Sequence, residues 1–179
     1  MKDRTHQDVA ALERAEDLFI LEWERMSSSW GINRTMAQIH ALLFITGRPM
    51  DVNDIILRLG ISRGNASMNL RELLDWGIVR RWRRPGDRKD LYISEADPWQ
   101  MFVRVVRERK RREIDPTMDA IKEVISKLPN EKTEQVAIMR TRLESLMEIF
   151  DLIDVAYKQV FSSDETLTQF RQLLKSEPI

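Results

Sequence analysis

The three-residue link Gly60-Ile61-Ser62 constrains the fold of this chain most strongly, because it joins two short helical patterns at close range. Before the link, Asp51 can cap a helix whose apolar residues recur at i, i+3, i+4 and i+7 as far as Leu59. Gly60 can end that helix, since glycine adopts positive φ without steric cost, and Ser62 can cap the next one. Two helices joined by so tight a turn form a helix-turn-helix.

The second helix, about Ser62 to Trp76, is predicted to have one apolar and one polar face. Ala66, Leu70, Leu73 and Leu74 share the apolar side at roughly 100° per residue. A recognition helix reads base edges with its N-terminal half, where arginine pairs with guanine, asparagine with adenine, and methionine contacts the thymine methyl group. The alternative is a polar face that is exposed only to solvent. If the helix enters the major groove, the residues that face DNA are Ser62, Arg63, Gly64, Asn65, Ser67, Met68 and Arg71.

Two strand-forming patterns follow, at about residues 78–84 and 91–93, and the turn sequence Pro85-Gly86-Asp87-Arg88 separates them. From Arg58 to Arg112 the chain has 15 Lys and Arg against 7 Asp and Glu, a net charge of +8, whereas the whole chain is formally neutral. A charge run is often only solvated surface, but charge concentrated in one segment favours contact with phosphate. The hairpin is therefore predicted to be a wing that enters the minor groove. The expected wing contacts are Arg83, Arg84, Arg88 and Lys89.

Four runs of residues carry a resemblance to a known family: Trp30-Gly31-Ile32-Asn33-Arg34, Gly60-Ile61-Ser62-Arg63-Gly64-Asn65-Ala66-Ser67, Leu73-Leu74-Asp75-Trp76-Gly77-Ile78-Val79 and Gly86-Asp87-Arg88-Lys89. The segment from about Glu22 to Trp99 resembles the MarR-like winged-helix repressors, and more closely their GbsR-like branch, which is named for control of glycine betaine synthesis genes. The resemblance implies a homodimer that binds a pseudo-palindromic operator. In relatives with an Asp-x-Arg wing, the aspartate braces an arginine in the minor groove. Lys89 occupies that arginine's position here, which leaves Arg88 and Lys89 as candidates for insertion.

The whole chain is predicted to be mainly α-helical, with a winged helix-turn-helix domain, a two-stranded β wing, and N- and C-terminal helices that form a dimerisation bundle. The predicted divisions are residues 1–30 for an N-terminal helix that contributes to dimerisation, 31–96 for the DNA-binding domain, and 97–179 for the C-terminal dimerisation region. Asp97 and Pro98 can begin a helix, and Pro116 is expected to kink or interrupt it.

Apolar residues alternate by three and four positions from about Glu131 to Val160. Such spacing forms a seam for another helix, which belongs either to a second chain or to the preceding part of the same chain. We expect a homodimer, because two half-sites require two winged domains at a fixed spacing. A further helix, about Asp164 to Leu174, is expected to pack on this bundle. The predicted seam consists of Val136, Met139, Leu143, Leu146, Phe150, Ile153, Tyr157 and Val160.

Composition argues against several other classes of protein. The chain has no cysteine and two histidines, so disulfides, thiol nucleophiles and cysteine-based metal sites are excluded. Known catalytic motifs are missing, and neither an enzymatic activity nor a cofactor is expected. No apolar run has the roughly 20 residues of a membrane helix, and the polar start does not suggest a secretory signal. The expected location is the cytoplasm.

The resemblance also implies a small-molecule effector, and the GbsR-like branch suggests choline. A quaternary ammonium ion needs an aromatic cage, although aromatic residues at helical spacing are more often core. The candidate cage residues are Trp23, Trp30, Phe44, Trp99 and Phe102. Two other functions remain open at this stage: a winged-helix protein–protein interaction module without specific DNA binding, and a metabolite-sensing dimer that has lost DNA binding.

Overall fold

The computed structural model describes residues 6–86, 89–130, 133–161, 168 and 172. The described residues are mainly helical with one two-stranded antiparallel sheet, which confirms the predicted fold class. Asp87 and Arg88 of the wing, and most of the helix expected over Asp164 to Leu174, lie outside the described residues. The elements are α1 (His6–Ser29), α2 (Arg34–Thr46), α3 (Val52–Leu59), α4 (Arg63–Asp75), β1 (Val79–Trp82), β2 (Leu91–Ser94), α5 (Pro98–Arg109), a π-helical turn (Lys110–Ile114), α6 (Asp115–Ser126) and α7 (Glu134–Phe161).

The chain forms two compact units, Met1–Val105 and Val106–Ile179. Helix α1 therefore belongs to the same unit as the helix-turn-helix, and the boundary lies within α5. The predicted divisions at residues 30 and 96 differ from these units, because α1 packs along α2 and the first part of α5 contributes to the first unit.

Helix α2 is the centre of the first unit, in contact with α1, α3, α4 and β2. Its residues Ile39, Leu42 and Leu43 are fully buried, and burial of each side chain contributes about 1.5–3 kcal/mol. Asn33 caps the helix by accepting a hydrogen bond from the Met36 amide at 3.1 Å.

The helix-turn-helix has the caps that its sequence predicts. The Asp51 carboxylate accepts hydrogen bonds from the amides of Asn53 and Asp54 at 2.6 and 2.9 Å. Gly60 ends α3 at a φ of 64°, in the left-handed region that favours glycine. Ser62 then caps α4, accepting from the Asn65 amide at 3.3 Å. The predicted helices and turn are confirmed.

Strands β1 and β2 pair from Val79 opposite Ser94 to Trp82 opposite Leu91. A further bridge joins Tyr92 to Met50, just before α3, through two backbone hydrogen bonds of 2.7 and 3.0 Å. The wing is thereby attached to the start of the helix-turn-helix as well as to its end.

In the second unit, the helical path is interrupted close to Pro116, as predicted. Proline has no amide hydrogen to donate to the preceding turn, and a π-helical turn, Lys110–Ile114, comes just before α6. The Lys110 ammonium pairs with Asp115 at 2.5 Å and with Asp154 of α7 at 2.9 Å, and these hydrogen bonds raise its pKa. Within the described residues, no helix is both long and apolar enough to cross a bilayer.

Candidate nucleic-acid interface

Helix α4 buries one side in the core of the first unit and presents the other to solvent. Ala66, Leu70 and Leu73 are buried, in agreement with the predicted apolar face. Most of the residues expected to contact DNA lie on the exposed side, with Met68 59% exposed. These exposed residues are Ser62, Arg63, Gly64, Ser67, Met68 and Arg71.

Asn65 is oriented differently from the prediction. Its side-chain amide donates to the Thr35 hydroxyl of α2 at 3.0 Å, and its side-chain oxygen accepts from the amide of Asn69 at 2.8 Å. Asn69 is itself buried. Asn65 therefore holds α4 against α2, and a bidentate adenine contact would have to use its second amide hydrogen and second oxygen lone pair or displace these partners. The sequence did not indicate Asn69 and Thr35, because polar residues that bond to each other inside a fold have no periodic pattern.

The first turn of α3 joins the recognition helix to the wing. The Arg63 guanidinium, at the start of α4, donates to the side-chain oxygen of Asn53. The Lys89 ammonium, at the start of the returning wing segment, forms an ion pair with Asp51. Because Asp51 and Asn53 are two positions apart, Lys89 and Arg63 both bind side chains at the start of α3. These four residues, Asp51, Asn53, Arg63 and Lys89, are called the α3 junction below.

The Asp51 carboxylate is the buried member of this junction, with 5% of its side chain exposed. Burial opposes its charge, but the hydrogen bonds from Lys89 and from the amides of Asp54 and Asn53 outweigh this effect and lower its pKa. The lowered pKa means that Asp51 stabilises the fold above its unfolded pKa near 3.8, and that this contribution is lost as the pH falls below it.

Replacement of Asp51 by alanine is expected to lower the free energy of unfolding by about 1–3 kcal/mol, because it removes a helix cap and the partner of Lys89. Urea denaturation at neutral pH measures this loss. Asp54→Ala is the matched control, since the Asp54 carboxylate accepts a long hydrogen bond of 3.3 Å from the Asp51 amide. Equal destabilisation by the two variants would contradict the role assigned to Asp51.

The wing carries its basic residues on exposed positions. Arg80, Arg81 and Arg84 are exposed. The Arg83 guanidinium pairs with Asp90 across the hairpin at 2.6 Å, which raises the pKa of Arg83 and lowers that of Asp90. Arg83 was expected to contact DNA, and its ion pair instead braces the hairpin in the unbound protein.

Residues 30–90, which contain this helix-turn-helix and wing, match the family model described as "MarR family". Residues 30–90 are therefore similar to the winged-helix domain of the MarR family. This finding confirms the resemblance recognised from the sequence runs.

Three proteins from Bacillus subtilis (strain 168) are similar to this chain. The chain is 30% identical over 92 residues to "Putative HTH-type transcriptional regulator YvaV", 27% over 92 residues to "HTH-type transcriptional repressor OpcR", and 24% over 116 residues to "HTH-type transcriptional repressor GbsR". The alignments cover 51%, 51% and 65% of this chain. They span 52%, 50% and 64% of the relatives, so the chain matches about half the length of the first two. The match to GbsR supports the GbsR-like assignment.

One solved structure, "Crystal Structure of a transcriptional regulator", resembles the chain at a TM-score of 0.54 and 19% identity. The likeness covers 81% of this chain and 99% of that chain. At this identity it concerns the fold, and it agrees with a winged-helix architecture.

An apolar cavity of about 220 Å³ lies within the first unit, next to the MarR-type helices. Its walls come from α1, the link between α1 and α2, α2, the end of α4, the segment between α4 and β1, and the first part of α5. Three of the predicted cage residues, Trp23, Trp30 and Phe102, line it. Phe44 and Trp99 do not, since Phe44 packs between Phe19 and His40 and Trp99 packs against Phe102. Trp76, at the end of the recognition helix, completes the aromatic lining instead.

His40 is the most unusual titratable group in the wall of this cavity. Its ring lies 5.7 Å from that of Trp23 and 6.0 Å from that of Phe44, and one ring nitrogen is 3.4 Å from the Ser94 hydroxyl. Burial lowers its pKa from 6.5 to about 4, because the apolar surroundings disfavour the imidazolium ion. His40 is therefore a neutral core residue at physiological pH.

Proposed function

We propose that this chain is a transcriptional regulator that binds specific double-stranded DNA, that it acts as a repressor, and that it works as a homodimer on a pseudo-palindromic operator. The observation that carries the proposal is the α3 junction, which links the start of the recognition helix to the basic wing. The family of the domain and the two relatives named as HTH-type transcriptional repressors support it.

In this proposal the exposed side of α4 occupies the major groove and the wing reaches the neighbouring minor groove. Arg71 and Met68 contact base edges, and Arg63 contacts the backbone where α4 begins. Arg84, Arg88 and Lys89 supply the positive charge of the wing. Arg88 is the residue proposed for minor-groove insertion, because Lys89 is held by Asp51.

The test is fluorescence anisotropy of the protein on labelled duplex from its own upstream region, with scrambled duplex as competitor, over a series of salt concentrations. Specific binding that weakens steeply with salt is expected, and the slope estimates the number of neutralised phosphates. Absence of binding at low salt to any genomic duplex tried would overturn the proposal. It would instead favour a winged-helix domain that docks to protein.

Replacing Arg71 by alanine is expected to weaken operator binding about 5- to 150-fold, the range for one bidentate arginine–guanine contact of about 1–3 kcal/mol. The measurement is the same anisotropy titration at moderate salt. If Arg71 contacts phosphate instead, operator and scrambled duplex lose affinity equally and the salt slope falls by about one. The control is Arg25→Ala, which removes an exposed arginine of α1 whose guanidinium pairs with Glu22 of the same helix at 2.8 Å. Unchanged operator affinity in Arg71→Ala would refute the assigned role.

Helix α7 supports the proposed homodimer. In the single chain, one side of the predicted seam packs within the second unit: Val136, Leu143, Phe150 and Tyr157 are half-buried, and α7 contacts α6. A second apolar side is exposed, with Ile149 57% and Leu152 68% exposed. Exposed apolar patches of this kind mark protein–protein interfaces. This side, called the exposed α7 stripe, consists of Ile138, Met139, Leu146, Ile149, Leu152 and Ile153.

The division of the seam follows from helix geometry. Residues seven apart stay close to one line, so Val136, Leu143 and Phe150 share one edge while Met139, Leu146 and Ile153 share another. One helix can thus pack inside its own unit along the first edge and offer the second to a partner. We propose that a second copy of α7 covers the exposed stripe.

A further inference from the structure

Three polar side chains connect the first turn of the recognition helix α4 with helix α2. The Asn65 side-chain amide donates to the Thr35 hydroxyl at 3.0 Å, and its side-chain oxygen accepts from the Asn69 amide at 2.8 Å. Asn69 is only 1% exposed, so water has little access to it and the low local dielectric strengthens its hydrogen bonds. Thr35, Asn65 and Asn69 are called the asparagine network below.

The hydrogen bonds of Asn69 determine which way the Asn65 amide faces. The Asn69 Nδ2 atom lies 2.8 Å from the Asn65 backbone oxygen and 2.8 Å from the Asn65 side-chain oxygen. A backbone oxygen can only accept, so the Asn69 atom at this position must be the nitrogen, which donates. Asn65 must then turn an acceptor, its Oδ1 atom, towards Asn69 and its nitrogen towards Thr35. Rotation of the Asn65 amide by 180° would place two donors against each other.

The oriented Asn65 amide keeps part of its hydrogen-bonding capacity. A side-chain amide has two hydrogens and two oxygen lone pairs, and the asparagine network uses one of each. Asn65 is half-buried and directly follows the exposed residues Arg63 and Gly64. At its major-groove edge, adenine presents an acceptor at N7 and a donor at N6, whereas guanine presents acceptors at both N7 and O6. One hydrogen and one lone pair in a fixed order therefore match adenine.

We propose that Asn65 contacts an adenine in each half-site of the operator, and that Asn69 and Thr35 are positioning residues that fix the order of donor and acceptor offered to the base. This assignment rests on the proposed function. The remaining lone pair of Asn65 accepts from the adenine N6 amino group, and it opposes the O6 atom of guanine. An amide that rotates freely can turn either atom to the base, and so it discriminates less between the two purines.

The first experiment uses duplexes that the wild-type protein selects from a library of random sequence. Each adenine of one half-site is replaced in turn by 7-deazaadenine, which pairs normally but has a C–H group in place of N7. At one adenine, fluorescence anisotropy is expected to show about 3- to 10-fold weaker binding, as for the loss of one hydrogen bond. In Asn65→Ala the same replacement is expected to leave the affinity unchanged. If no adenine behaves in this way, the assignment of Asn65 is wrong.

Two variants test the positioning residues through a ratio of affinities. Asn69→Leu has a similar volume but no donor, and Thr35→Val replaces the hydroxyl by a methyl group, while both keep Asn65. In each variant, the preference for adenine over guanine at the identified position is expected to fall at least about fivefold. Thr35→Ser, which keeps the hydroxyl, is expected to retain the wild-type preference. A network that only stabilises the fold would weaken binding to both duplexes alike, and an unchanged ratio would overturn the positioning role.

Ile55→Val is the matched control for stability. Ile55 is fully buried in the same unit, so its variant loses stability through a smaller apolar side chain, and it should keep the wild-type preference for adenine. Urea denaturation compares the stability of all variants. If the wild-type protein selects no duplex, the proposed function fails and the assignment of Asn65 fails with it. If it selects an operator whose binding depends on Arg71 but on no adenine contact from Asn65, the proposed function stands and the assignment alone fails.

Discussion

The double variant Leu146→Glu/Ile153→Glu is expected to convert a dimer into a monomer and to abolish high-affinity operator binding. Both residues lie on the exposed α7 stripe, seven positions apart and so almost in line. In a two-fold symmetric interface each substitution occurs twice, and it places unpaired charges in apolar surroundings at large cost. We expect the dimer dissociation constant to rise at least about 100-fold. Light scattering of the purified protein measures the mass directly.

Val155→Glu is the matched control for this experiment. Val155 is 49% exposed and lies on the same helix, but it is two positions from Ile153 and therefore about 200° around the axis. Its variant should remain dimeric and bind the operator as before. A dimeric double variant would exclude the exposed stripe as the interface, and a monomeric wild-type protein would contradict the homodimer itself. Circular dichroism confirms in each case that the helices persist.

Acidification from pH 7 to pH 4 is expected to reduce the free energy of unfolding by about 3 kcal/mol through His40 alone. Its pKa falls from 6.5 in the unfolded chain to about 4 in the folded protein, and each pKa unit corresponds to about 1.4 kcal/mol. Above pH 6.5 both states are neutral and there is no penalty. Between pH 6.5 and 4 the unfolded chain binds the proton and the folded protein does not, so stability declines as the pH falls. Below pH 4 the penalty is constant.

The variant His40→Phe keeps an aromatic ring between Trp23 and Phe44 but cannot be protonated. Its loss of stability between pH 7 and pH 4 should be about 3 kcal/mol smaller than that of the wild type, as measured by urea denaturation at each pH. Carboxylates titrate in both proteins and cancel in the comparison. His6→Gln, which alters the chain's other histidine, should keep the wild-type slope. If the free energy of unfolding of His40→Phe falls with pH as steeply as that of the wild type, groups other than His40 cause the loss.

The α3 junction combines contacts that the sequence predicts with contacts that it does not. The caps of α3 and α4 were predictable because a cap depends on residues within one turn. The same Asp51 also binds Lys89 of the wing, and no local pattern links positions so far apart. The Asp-x-Arg motif of the family led to the expectation that Lys89 was a candidate for insertion, whereas the structure engages it at the start of α3.

The sequence predicted only some of the aromatic residues that line the cavity. Of the five aromatic residues grouped by their positions in the sequence, Trp23, Trp30 and Phe102 line one cavity, and Phe44 and Trp99 do not. Trp76 was missed because it follows a recognition helix and was assigned to that helix's end. Which aromatic side chains surround a space depends on how α1, α2, α4 and α5 cross, and that information is not contained in the spacing of residues along any one helix.

The sequence by itself determined the order of the elements, the helix ends, the wing and its charge, because these depend on periodicity, on capping and turn residues, and on local composition. Tertiary structure alone decided that Asn65 turns towards Thr35, that the wing bridges to Met50, that a cavity opens beside the recognition helix, and that α7 has two apolar edges with different roles. These features arise where elements distant in sequence meet. Their free energies come from burial and from long-range hydrogen bonds, neither of which leaves a repeat in the chain.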